Sequence, residues 1–298
     1  MRWSSGKRSR NLEDRRAQRG TRRRTGGLPI GRGGAGLGIG GVVLLIAIGI
    51  FFGPEAVLGL LSGGGQMSTG GASPSTNSGN FQTTAAEEEL VDFVSFVLDD
   101  AQSLWGEKLP RVGTAYRDAK LVLFRGSVES RCGFAQAQSG PFYCPGDEKV
   151  YIDLSFYGDL KRRYGAPGDF AQAYVLAHEI GHHVQTVLGT ERQVRAAQRE
   201  NRALANQLSV LMELQADCYA GIWAHSTRAR GILDAGDLEE GMSAAAAVGD
   251  DRLQQQSQGR VNPDAFTHGT SAQRVEWFRR GLERGNPADC DTFNSVGR

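Results

Sequence analysis

No CxxC pair occurs anywhere in the 298 residues, and only four cysteines are present at all (Cys132, Cys144, Cys218, Cys290). That spacing removes the usual cysteine-built zinc site. There is no internal repeat, so a solenoid or propeller is excluded. Histidine is scarce as well: five in the chain, three of them within residues 178–183. Charge of either sign is missing from residues 36–53, GLGIGGVVLLIAIGIFFG. Net charge is nearly absent too, at +1, but that figure hides an asymmetry. Residues 1–32 hold eleven lysines and arginines against Glu13 and Asp14, a local balance of +9 that leaves about −8 for the remainder.

The basic segment directly abuts the uncharged one, and three readings compete for the pair. A cleaved signal peptide has a shorter apolar core, about 7–15 residues. A basic arm for nucleic acid accounts for the arginines but not for the apolar run. A membrane anchor accounts for both, because cations flanking a span stay in the cytoplasm. The expectation is a cytoplasmic tail over 1–33, a transmembrane helix over 34–61 and no nucleic-acid partner. The eighteen uncharged residues sit at the lower limit for crossing a bilayer. Residues 62–85 are rich in Gly, Ser and Thr without periodicity and read as a flexible linker. A domain over 86–298 follows, expected outside the cytoplasm. Its four cysteines fit an oxidising compartment, paired as Cys132–Cys144 across a short loop and Cys218–Cys290.

Within that domain, helical spacing marks residues 86–106, 169–188, 191–202, 206–225 and 237–254, and a last helix capped by Thr270 runs to Arg284. Asp169, with Gln172 three residues on, is the expected cap of the second of these. Residues 120–126 and 149–157 are rich in β-branched and aromatic side chains and read as strands. If the second is an edge strand, it can pair with an extended peptide. The class is α+β, mostly helical, with a small sheet.

Residues 178–182, HEIGH, place His178 and His182 one helical turn apart, so that both imidazoles can ligate one zinc ion while Glu179 stays free to act on water. Two core histidines bonded to backbone would be the plain alternative, but they leave Glu179 as a costly buried carboxylate. Gly181 leaves room beside the metal. A catalytic zinc needs a third ligand. Residues 213–221, ELQADCYAG, put Glu213 and Asp217 on one face of an apolar stretch. Glu213 is the expected third ligand and Asp217 the acceptor that fixes a histidine tautomer. Asp234, Asp237, Asp250 and Asp251 read as caps or solvated charges, His183 as structural, and His225 as a surface residue.

HEIGHH with ELQAD, together with CGFAQAQSGPFYCPGDEKVYIDLSFY, GDFAQAYVLAHEIGHHVQ, ELQADCYAGIWA and FTHGTSAQRVEWF, resembles the bacterial neutral zinc metallopeptidases over about residues 90–295. The first 85 residues resemble them only in holding an anchor. The resemblance implies a zincin-like fold, Zn2+ bound by His178, His182 and Glu213, Glu179 as general base, and a peptide or protein substrate. The segment FTHGTSAQR also resembles the region of membrane-linked metallopeptidases where a histidine precedes an arginine by six residues. It suggests His268 and Arg274 as catalytic residues, while a loop histidine beside a helix start remains the other reading. An inactive zinc-containing binding module on the cell surface is the alternative to an enzyme. The intact Glu179 speaks against it.

Overall fold

The computed structural model describes residues 1–18 and 83–294. The expected transmembrane helix (34–61) and nearly all of the expected linker lie outside those residues. Among the described residues no helix is long and apolar enough to cross a membrane. The α+β, mostly helical class with a small sheet is what the chain adopts.

Six strands form in two sheets: β1 (Leu12–Asp14), β2 (Lys120–Phe124), β3 (Ser127–Ser130), β4 (Gly133–Gln136), β5 (Phe142–Cys144) and β6 (Lys149–Asp153). The larger sheet runs β1-β2-β6-β5, and β3 pairs with β4 as a hairpin. β1 is parallel to β2 and β2 to β6, while β5 is antiparallel to β6. The strand read over 149–157 is therefore shorter than expected and interior. At Asp153 a carboxylate oxygen accepts the Ser155 N–H at 2.9 Å and turns the chain into a helix. With a neighbour on each side, β6 has no free edge for a peptide, and the sheet ends at β5 instead.

The helices are α1 (Ala85–Lys108), α2 (Ser155–Arg162), α3 (Asp169–Leu188), α4 (Thr190–Glu200), α5 (Ala205–Ala229), α6 (Asp237–Ala247), α7 (Asp250–Gln258) and α8 (Ser271–Arg284). The α1 start is set by Thr84, whose hydroxyl accepts the Glu87 N–H, so the linker ends before residue 85. Gly168, not Asp169, occupies the cap position of α3. A side chain there would collide with the Glu240 carboxylate, and Asp169 becomes the first helical residue, where its charge suits the helix dipole. The single helix expected over 237–254 breaks at Val248–Gly249 into α6 and α7. The capping box of Thr270 and Gln273 forms as read.

α3 is apolar on nearly every side, and it is buried on nearly every side, as such a helix must be. It packs against α1, α5 and α6, above Leu121, Leu123, Val150 and Ile152 of the sheet. α5 and α8 cross closely because Gly221 and Gly281 face each other's backbone, where a Cβ on either would overlap a carbonyl oxygen. The cysteines pair as expected, with Cα–Cα distances of 5.7 Å for Cys132–Cys144 and 5.6 Å for Cys218–Cys290.

Residues 1–18 depart from the expected tail. Leu12, Glu13 and Asp14 align with Leu121, Val122 and Leu123, making β1 a strand of the domain's own sheet. Arg8 meets Glu88 at 2.7 Å and Asp92 at 2.6 Å, both on α1. Buried Arg16 meets Asp14, Glu87 and Glu88 within 3.0 Å. Lys149 of β6 holds Glu13 at 2.8 Å. A strand hydrogen-bonded to β2 cannot lie across a bilayer from it, so the reading of 1–33 as a tail separated from the domain is corrected for residues 1–18. Of the arginines read as an orientation signal, Arg2, Arg8 and Arg16 instead find acidic partners within the domain.

Candidate metal centre

His178 and His182 leave α3 one turn apart, with ring centroids 4.8 Å from each other. α5 crosses beneath them at Gly181. A Cβ on that glycine would sit 2.9 Å from the Ala216 carbonyl oxygen and 3.1 Å from its Cα. The glycine therefore makes room for a helix rather than for an ion. That close crossing brings Glu213 to the histidines: Oε2 lies 3.2 Å from His178 Nε2, and Oε1 lies 3.4 Å from His182 Nε2. Donors around one tetrahedral zinc at bond lengths near 2.0–2.1 Å are separated by about 3.3 Å. Both histidine–glutamate separations are close to that value, and the three side chains, whose ligand atoms lie within 4.8 Å of one another, form a candidate metal group.

Each histidine presents Nε2 because its Nδ1 is engaged elsewhere. His178 Nδ1 lies 2.8 Å from Asp217 Oδ1, and His182 Nδ1 lies 2.8 Å from Gln185 Oε1. Gln185 is held in turn, donating to the Met212 carbonyl at 2.7 Å. Such acceptors fix the tautomer and the ring plane of a ligating imidazole. Asp217 was expected in this role. Gln185 was missed, although its spacing three residues after His182 on one helix could have shown it.

Asp217 is fully buried and satisfied by Arg274, whose Nε reaches Oδ2 at 2.8 Å and whose Nη2 reaches Oδ1 at 3.0 Å. The Tyr174 hydroxyl donates to the same carboxylate. Arg274 is itself buried; its Nη2 also lies 3.3 Å from the Tyr174 hydroxyl and 3.4 Å from His178 Nδ1, and its Nη1 lies 3.4 Å from the Val248 carbonyl and 4.0 Å from Glu213 Oε2. Arg274, read as a catalytic residue, is the counter-ion that lets the buried Asp217 carboxylate stay charged. Burial alone would raise the Asp217 pKa, but Arg274 and His178 outweigh it and hold the group below the usual range. Burial would likewise depress His178, yet Asp217 and Glu213 prevail and push it up to about 10.

Glu179 lies on the neighbouring face of α3 and is not among the three donors. Burial raises its pKa, offset in part by the His182 and His178 charges, and so moves it toward the range useful to a general base. Glu213 is shifted the opposite way. Burial raises it, but His182 and His268 overcome that and hold it well below the carboxylate norm. Two neighbouring carboxylates thus carry opposite shifts, as separate roles require.

His268 lies in the loop before α8, its Nδ1 3.3 Å from Asp250 Oδ1. His183 is structural as read, bonded to the Tyr143 hydroxyl at 3.0 Å and the Arg117 carbonyl at 2.6 Å. His225 is tied to the Leu282 carbonyl, away from the three donors. A second trio of acids, Asp169, Asp237 and Glu240, faces the Met1 amine, which lies 2.9 Å from Asp169 and 3.4 Å from Asp237.

The sequence has matching relatives. Uncharacterized protein YpfJ of Escherichia coli strain K12 is 48% identical over 301 residues, covering 98% of this chain and 99% of that protein. Uncharacterized protein Mb2605 of Mycobacterium bovis is 42% identical over 209 residues, covering 66% and 69%. No solved structure matches. The family described as putative neutral zinc metallopeptidase matches residues 1–293, so the likeness takes in the first 85 residues that were expected to stand apart. By that match the chain belongs to the neutral zinc metallopeptidase family, and zinc is its metal.

Proposed function

We propose that the chain is a zinc-dependent peptidase whose metal is held by His178, His182 and Glu213 and whose general base is Glu179. The observation that carries this reading is the clustering of ligand atoms: those of three side chains from two helices lie within 4.8 Å of one another, with Glu179 buried on α3 and left out of the set. A purely structural site needs no such carboxylate. Held by His178, His182 and Glu213, a zinc ion would supply Lewis acidity at this position.

The protein's own groups do the rest. Glu179 takes the proton from the attacking water and delivers it to the leaving amine. Asp217 and Gln185 keep both Nε2 lone pairs directed at the metal, and Arg274 and Tyr174 hold Asp217. In this reading His268, with Nδ1 facing Asp250, acts as the protonated imidazolium and donates from Nε2 to the oxyanion that forms on the scissile carbonyl. An extended peptide substrate pairs with the outer edge of β5, which reaches α3 through Tyr143 and His183.

The proposal extends to location. The two cysteine pairs favour an oxidising compartment. Contact with a membrane would come through residues 34–61, with both flanks of that run on one side, since 1–18 belong to the domain.

Metal analysis paired with cleavage of a peptide library tests the reading. Wild-type protein should carry one zinc per chain, and Glu179→Gln should keep the metal and the fold while losing roughly a hundredfold to ten-thousandfold in turnover. A Glu179→Gln protein that cleaves as fast as wild type removes the base assignment. Protein without zinc at neutral pH removes the site.

A further inference from the structure

We infer that Asp250 is a positioning residue for the chemistry, holding His268 and its loop against the turn of α5 that carries Glu213. The inference rests on the peptidase reading above, within which His268 acts on the developing oxyanion.

The argument starts at a break in a helix. The pattern over 237–254 reads as one amphipathic helix, yet the chain interrupts it at Gly249, where a Cβ would strike the Ser271 backbone. The break lets α8 begin directly against the new start of α7, and it aims the first two residues of α7 at the loop before α8. Asp251 takes Ser271, accepting its N–H at 2.7 Å and its hydroxyl at 2.8 Å. Asp250 takes the three residues before that. Its Oδ2 accepts the N–H groups of Thr267 at 2.7 Å, His268 at 2.6 Å and Gly269 at 3.1 Å. Its Oδ1 faces His268 Nδ1 at 3.3 Å. In return the Asp250 N–H donates to the Gly269 carbonyl at 2.9 Å.

A fully buried carboxylate with three backbone donors and an imidazole is more than a helix cap. An N-terminal aspartate caps its own helix with one bond, whereas this one spends both oxygens on a distant segment. It also has a directional result. The Nδ1 of His268 is taken by Asp250 and the Thr267 hydroxyl, which leaves Nε2 without a protein partner among the described residues. The loop is then seated on α5. Gly269, at φ +87°, stands where an added Cβ would be 3.2 Å from Val210, one turn before Glu213, and 3.3 Å from Leu214, the residue after it. Six residues after His268, Arg274 grips Asp217. The segment 267–274 is thus fixed at one end to the turn bearing a metal ligand and at the other to the acid behind His178. The electrostatics agree with this proximity: burial lowers the His268 pKa, but Glu213 and Asp250 together raise it.

A residue that acts only through another leaves a signature in a double-mutant cycle. On a peptide that wild type cleaves, His268→Ala should lower turnover by roughly ten- to a thousandfold. Asp250→Asn should lower it by roughly ten- to a hundredfold with KM little changed and zinc content intact. The double variant should be no slower than His268→Ala alone. Losses that multiply in the double variant would show Asp250 to be merely structural and overturn the inference. A second reading needs no turnover and no variant. Nitrogen-15 spectra of the wild-type imidazoles, taken where His268 is neutral, should show its proton on Nδ1. A proton on Nε2, or an even mixture, would overturn the inference whether or not Asp250→Asn folds. If wild type cleaves no peptide, the peptidase reading fails, and the spectra still decide the placement of His268.

Discussion

Asp217 carries the strongest case for action at a distance from the metal. It touches His178, Tyr174 and Arg274 and has no exposure to solvent. Replacing it with asparagine keeps the volume and removes the charge. The amide cannot both accept from His178 and satisfy Arg274, so a buried guanidinium is left partly unpaired. Asp217→Asn should lower zinc affinity by roughly ten- to a hundredfold, as acceptors behind metal ligands usually do. Competition with a fluorescent chelator reads this directly, and unchanged affinity would mean that Asp217 only buttresses α8. Much at this scale was legible in the sequence because helical spacing is a geometric fact: HEIGH fixes two rings on one face, and Glu213 and Asp217 repeat the same interval. What was not legible lies across gaps in the chain. Asp250 looked like a cap because its partners stand 17 to 19 residues later. Arg274 was noticed, but its direction depends on how α8 crosses α5, which no local pattern encodes.

Among the elements, the crossing of α3 and α5 decides whether a site exists. Neither helix carries all three of the proposed ligands, and the three side chains meet only because Gly181 admits the Ala216 backbone. Gly181→Val should therefore force the helices apart, costing about 1–3 kcal/mol of stability through overpacking, and should weaken zinc binding although every ligand remains. Thermal unfolding with a parallel zinc titration separates the two effects. A variant destabilised but with wild-type zinc affinity would show that the crossing has slack. The helices were mostly read to within a few residues, since buried faces impose periodicity. The errors have local causes. The Asp153 carboxylate converts the end of a strand into the start of α2. A steric demand from Ser271, distant in sequence, splits α6 from α7. Interior or edge position within the sheet was not readable from β6 alone, because it depends on β2 and β5.

At the scale of the whole molecule, the misreading of the N-terminus is instructive. Charge counting registers a cluster of cations, but it does not see acids more than 70 residues away. Glu87, Glu88 and Asp92 on α1 are the partners that turn basic residues of the first 18 into interior ties. If residues 1–18 and 83–294 are one body, an epitope placed directly after Gln18 and another at the C-terminus must share a compartment. Protease added to intact cells, and again after the membrane is opened, should cleave both or spare both at each stage. Opposite behaviour of the two epitopes would mean that β1 does not pair with β2 in the cell.

The pairing of β1 also sets an order in time. Leu12–Asp14 leave the ribosome first, yet the strand they join is made more than a hundred residues later, and the acids that bury Arg16 come only with α1. Closing so long a loop is entropically slow. Leu12–Asp14 must wait, without the strand they pair with, while the apolar stretch at 36–53 emerges behind them. A nascent chain halted before residue 120 therefore has no strand for its own beginning to join.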